Sequence, residues 1–212
     1  NKRCTPEDSA ANGDLRNLRV KFDSSQLTIF RNWKITDVLT NVTLSTFDKN
    51  SNEFVDMGIF QPGEGRLYKL APVMQEGGTL IADESLSGVT FSCNGDVDNN
   101  GKNISVYVGT NINFADGVKW NIDGGEFKSG LFPDSPNELK VNMKSQSGAY
   151  WNGIDFTGCD IVNIANTVFE NVKPSGAETV NPSALQFTDC YDLTISGCKF
   201  NFANLDSVIC IN

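Results

Sequence analysis

Ile154-Asp155-Phe156-Thr157-Gly158-Cys159 and Leu185-Gln186-Phe187-Thr188-Asp189-Cys190 are two versions of one hexapeptide, set 31 residues apart. The offset persists downstream. Val162 pairs with Leu193, Ile164 with Ile195, Asn166 with Gly197 and Phe169 with Phe200. Each unit alternates apolar and polar side chains over a few residues and then turns on Gly, Asn or Asp. That is the pattern of short half-buried strands. One unit alone cannot bury its inward side chains. Phe156, Val162, Ile164 and Phe169 therefore need Phe187, Leu193, Ile195 and Phe200 stacked on them, at the roughly 4.8 Å spacing of paired strands.

Weaker echoes lie upstream. Trp120-Asn121-Ile122-Asp123-Gly124-Gly125-Glu126-Phe127 matches Leu193-Thr194-Ile195-Ser196-Gly197-Cys198-Lys199-Phe200 in pattern, and Phe91–Val97 reads as an earlier coil. Period, apolar-x-apolar strands and Asn/Gly turns together resemble right-handed parallel β-helices of the pectin-lyase-like kind. Val208-Ile209-Cys210-Ile211 repeats Ala184-Leu185-Gln186-Phe187, the start of a further coil, and no polar cap follows. The helix is therefore expected to be incomplete at its C-terminal end. An antiparallel sandwich or jelly roll is the alternative for this half.

The residues before Gly77 follow a different grammar. Six short strands are expected: Leu18–Phe22, Leu27–Phe30, Trp33–Val38, Val42–Phe47, Phe54–Ile59 and Arg66–Leu70. They are broken by turn signals such as Asp23-Ser24-Ser25 and Gln61-Pro62-Gly63, which points to a small antiparallel sandwich. Pro62–Pro72, with a looser echo at Trp33–Asp37, resembles the last strand of sandwich modules that trail glycoside hydrolase barrels. The catalytic carboxylates of those enzymes lie in the barrel, so the resemblance brings no catalytic residue here. The expected organisation is an all-β chain: an N-terminal extension over 1–13, a β-sandwich module over 14–76 and a parallel β-helix over 77–212.

Composition sets the outer bounds. The chain has 212 residues, 39% hydrophobic and 20% charged, as a folded protein should. No apolar run reaches the roughly 20 residues of a membrane helix, so membrane insertion is not expected. The net charge of −9 is uneven: 1–76 is balanced, whereas 77–212 carries seven Lys, no Arg and sixteen acidic residues. An acidic face repels phosphate backbones, which argues against a nucleic-acid partner. Six cysteines without a CxxC pair disfavour zinc and agree with an exported, extracellular or cell-surface protein.

The absence of histidine removes Ser-His-Asp and Cys-His catalysis and imidazole metal sites. The β-helix resemblance implies polysaccharide chemistry as the natural enzymatic reading. Polygalacturonase-like members carry adjacent aspartates and a Gly-His-Gly turn, and this chain has neither. Pectate-lyase-like members use an Arg base beside calcium ligands, and no Arg follows Gly77. Asp155 with Asp160, and Asp189 with Asp192, are the acidic pairs of the repeat, read as solvated surface rather than as a glycosidase dyad.

Four further features are candidates. Asp96, Asp98 and Asn100 open a D-x-D-x-N-G pattern suited to calcium, the one cofactor considered. The twelfth position is Tyr107, so a polar turn is the alternative. Asn94, Asn99, Asn100 and Asn103 suit turns with positive φ. Gly130–Trp151 reads as an excursion from the repeat, since Phe127 and Phe169 are 42 residues apart. It ends in Tyr150 and Trp151, aromatics able to stack on sugar rings, whereas Trp120 reads as core. Cys159 and Cys190 should lie one above the other, as a disulfide or as a ladder of buried thiols. Asn41-Val42-Thr43 and Asn103-Ile104-Ser105 are glycosylation sequons.

The expected function is a non-catalytic structural or adhesive module of a larger secreted or cell-surface protein, partnered by the rest of its parent chain or by itself. A polysaccharide-binding or polysaccharide-cleaving protein is the second reading.

Overall fold

The structure, a computed structural model, describes residues 16–51, 53–131, 139–146, 150–172, 183–201 and 209–211. It is all-β, in two arrangements. In the first, β1 (Arg16–Val20) pairs antiparallel with β4 (Val55–Phe60), and β2 (Asn32–Asp37) lies between β3 (Thr43–Asp48) and β5 (Tyr68–Pro72). Alternating side chains of these sheets close a small core around Ile35, Val55 and Met57, with Phe22 stacked on Phe47. The two segments that resemble trailing sandwich modules are direct partners, since Trp33 faces Pro72 and Asp37 faces Tyr68.

The second arrangement is a parallel β-helix of three strand columns. Coil one is β6 (Gly78–Thr79), β7 (Glu84–Leu86) and β8 (Thr90–Cys93). Coil two is β9 (Val97–Asp98), β10 (Ile104–Tyr107) and β11 (Asn111–Phe114). Coil three is β12 (Trp120–Asp123), β13 (Glu126–Leu131) and β14 (Val141–Ser145). Coil four is β15 (Ile154–Thr157), β16 (Ile161–Ala165) and β17 (Thr167–Glu170). Coil five is β18 (Leu185–Thr188), β19 (Asp192–Ser196) and β20 (Lys199–Asn201), and β21 (Ile209–Ile211) joins the first column.

The 31-residue register holds in coils four and five: Phe156 lies on Phe187, Ile164 on Ile195 and Phe169 on Phe200. The ring pairs Phe156–Phe187 and Phe169–Phe200 stack at centroid distances of 4.8 and 5.1 Å. Phe127, Trp120 and Phe114 extend the aromatic core upward, edge to face. Each fully buried ring contributes about 1.5–3 kcal/mol. No single coil can collect that alone.

Three expectations need correction. Trp120 lies in the column of Ile154 and Leu185, and Phe127 in that of Val162 and Leu193, one column away from the sequence match. Gly130–Trp151 is not an excursion as a whole, because it contains β14, paired with both β11 and β17. Leu27–Phe30 is not a strand. Asp23 caps a 3-10 turn over Ser24–Gln26, and Phe30 then turns away from the sandwich into the coil core, edge-on to Phe91 at 5.1 Å.

Phe30 is joined there by Val73 and Met74 of a short helix (Val73–Glu76), both fully buried. Together they cover the apolar end that coil one would otherwise expose. Among the described residues no helix is long and apolar enough to cross a membrane.

Candidate functional site

Asp96 stands just before β9, Asp98 ends it and Asn100 lies in the corner that follows. Asp96 Oδ1 accepts the Lys119 amide at 2.8 Å, and Asp98 Oδ1 accepts the Asn100 amide at 2.8 Å. Asn100 has a φ of 50°, and its side-chain amide donates to the Leu80 carbonyl at 3.5 Å. Beside them Asn99 is fully buried. It donates to the carbonyls of Lys102 (2.7 Å) and Gly124 (2.9 Å) and accepts the Asp123 amide (2.6 Å), tying coil two to coil three. The oxygens of this pattern thus organise a polar corner. Among the described residues no group of three or more His, Cys, Asp or Glu is placed to hold a metal. Of the four asparagines read as positive-φ turn residues, Asn100 alone adopts that conformation. Asn94, Asn99 and Asn103 do not, and Asn99 and Asn103 instead lend their side chains to neighbouring amides.

Trp151 does not present a platform to sugars. Its indole is fully buried, stacked on Phe114 at 4.0 Å, and its Nε1 donates to the Glu170 carbonyl at 3.0 Å. Tyr150, one residue earlier, stands 37% exposed, with its backbone amide held by Asp116 Oδ1. Trp120 is core, its Nε1 on the Cys93 sulfur.

Cys159 and Cys190 are neighbouring free thiols, not a disulfide. Burial, and then the adjacent Cys190 thiol, push Cys159 up to about 12. Burial likewise pushes Cys93 up to about 11 and raises Cys198. These sulfurs sit on carbonyls, Cys159 on Ile122 and Cys198 on Ile164, and behave as small apolar side chains.

Many acidic side chains on the outside of the coils are already engaged. Asp155 pairs with Lys119 and Glu126 with Lys128, while Asp83 accepts the Asn103 amide and Asp116 the Tyr150 amide. Asp160 and Asp192 flank the corners between the first two columns, and Asp189 occupies one with a φ of 53°.

The most constrained polar feature lies where the sandwich meets coil one. Glu84 is 2% exposed. Its carboxylate accepts the Arg31 amide (2.9 Å), the Asn32 amide (3.1 Å) and the Asn32 side-chain amide (2.8 Å). Asn32, also buried, accepts the amides of Ile81 and Ala82 and donates to the Ala82 carbonyl. A buried carboxylate is costly unless donors surround it, and here the backbone entering β2 supplies them. Lys34 adds a second tie, donating to the Glu76 and Gly77 carbonyls at 2.9 and 2.7 Å, and burial lowers its pKa. This clamp was not found from sequence. The available signal was parity: in Ala82-Asp83-Glu84-Ser85-Leu86 the buried positions are 82, 84 and 86, so a carboxylate stands where an apolar side chain is expected.

The chain matches no family model, and no curated protein or solved structure matches it significantly.

Proposed function

We propose that the chain is a non-catalytic structural or adhesive module of a larger secreted or cell-surface protein, with the β-helix as stiff spacer or assembly surface. The observation that carries this reading is the use to which the acidic groups are put. A glycosidase needs two carboxyls facing each other across a substrate cleft, one of them able to give up a proton. Here Asp83, Asp96, Asp98 and Asp116 hold backbone amides, Asp155 and Glu126 hold lysines, and Glu84 is buried as a clamp. Five stacked coils with an aromatic interior and amide ladders between them are built for stiffness.

The test is turnover. The protein is incubated with neutral and uronic polysaccharides while reducing ends and unsaturated lyase products are followed. No release above a heat-treated control is expected. Release that disappears on replacing a coil carboxylate by its amide would overturn the reading in favour of a polysaccharide-cleaving enzyme.

A further inference from the structure

Between the sandwich and the second strand column lies a cleft of about 400 Å³, within the ~300–1,000 Å³ range of small-ligand sites. Its floor is the solvent side of β7 and β10, where Ser85 and Ser105 are neighbours in register. Asp83 and Asn103 stand at the strand starts. The opposite wall is sandwich: Arg31, the Lys49-Asn50 turn, and Ile29, whose side chain is 48% exposed. A second cleft of about 540 Å³ is lined by Lys49 and Asn50 together with Lys21 and Ser24. The two share the Lys49-Asn50 turn as a common border.

The walls are fixed before anything binds. Arg31 is held through its guanidinium by Asp48 at 2.7 and 2.9 Å and through its amide by Glu84, while Lys49 Nζ donates to the Thr28 carbonyl at 2.6 Å. Asp83 is oriented by the Asn103 amide, and Glu126 at the far edge by Lys128. Among the described residues, none partners the hydroxyls of Ser85 and Ser105 or the side-chain amide of Asn50. The groove thus offers hydroxyls, an amide, a carboxylate oxygen and cationic donors side by side, with one aliphatic face.

We infer that this groove binds a neutral oligosaccharide. Sugar hydroxyls donate and accept at once, which suits a surface of mixed donors and acceptors, and their C–H faces suit Ile29. A polyanion is disfavoured. Arg31 is already neutralised by Asp48, Glu126 is balanced by Lys128, Glu84 is buried on the Arg31 and Asn32 donors, and Lys49 is matched by Asp83, so the cleft carries no net positive charge to attract one. This inference stands apart from the spacer reading, since a spacer can lack a ligand and an enzyme can carry such a groove.

The experiment is calorimetric titration of the whole chain with cellotetraose, xylotetraose, mannotetraose and laminaritetraose, and with trigalacturonate as the anionic comparison. Ser105→Leu raises the floor without touching the core, Asn50→Ala removes the shared amide, and Asn113→Leu alters an outward position on the third column. Circular dichroism and melting temperature confirm that each variant is folded. At least one neutral tetrasaccharide should bind, and both groove variants should weaken it by ~10-fold or more, about 1.4 kcal/mol, with Asn113→Leu unchanged. Three outcomes would overturn the inference: no neutral tetrasaccharide binding at ~10 mM, a Kd far too weak for a specific site; binding indifferent to both groove variants; or preference for trigalacturonate. Failure here leaves the turnover test untouched, so the two readings fall separately.

Discussion

Gly130 shows how tightly neighbouring coils approach. Its φ is 72°, and a Cβ there would lie 1.8 Å from the Ala165 carbonyl oxygen of the next coil. Gly63, at a φ of 78° in the sandwich, would meet nothing within 4 Å. Both substitutions to Ala carry the left-handed backbone penalty, about 1 kcal/mol. Gly130→Ala must in addition push two backbones apart, so it should cost more than about 3 kcal/mol. Urea melts of the two variants would separate the effects, and equal losses would contradict the close packing. The thiols give a second check at this scale. With Cys93 near 11 and Cys159 near 12, fewer than about one in a thousand of either is thiolate at pH 8. Native protein treated with iodoacetamide should keep both unmodified by mass spectrometry, and urea should expose both.

Among the elements, the entry into β2 matters most, because two charged clamps meet there. Glu84→Gln keeps the shape but turns part of the acceptor into a donor facing the amides of Arg31 and Asn32. It should cost about 2–3 kcal/mol by denaturant melt; a neutral outcome would mean the clamp holds nothing. The Arg31–Asp48 pair is a smaller matter. Burial works to raise the Asp48 carboxyl, but Arg31 and the Asn50 amide outweigh it and hold it below its ordinary 3.8. A depressed carboxyl stabilises the fold above its unfolded value and loses that contribution as pH falls through the folded one. Asp48→Asn should therefore cost about 0.5 kcal/mol at pH 7, modest because Arg31 is partly exposed. The difference from wild type should fade at a pH well below 3.8. Thermal melts at both pH values would show it.

The same scale explains what was legible in sequence. Phe156 and Phe187 could be matched because coils four and five have the same length between columns. Trp120 to Ile154 is 34 residues, Phe127 to Val162 is 35 and Met143 to Phe169 is 26, so pattern matching slid coil three sideways by one column. Each strand has the same apolar-x-apolar form, and nothing local says which column it belongs to. Trp151 was hidden for the same reason. Trp151 forms a bridge to Val172 within the stack, and its parity sends the indole inward. The groove and the Glu84 clamp join residues about fifty positions apart in sequence, a distance no local pattern spans.

At the scale of the whole molecule, the sandwich and the coils share one continuous packing. Phe30 leaves the sandwich to enter the coil core, Glu84 leaves the coils to hold the sandwich backbone, and the aromatic stack runs on to Phe187. The spacer role proposed above requires the sandwich and the coils to yield together. Pulsed hydrogen exchange across a urea gradient, read by mass spectrometry, measures this directly. One urea midpoint is expected for peptides covering Asn32–Asp48 and Glu84–Cys93. A sandwich that becomes exchangeable at clearly lower urea, while Glu84–Cys93 stays protected, would contradict it.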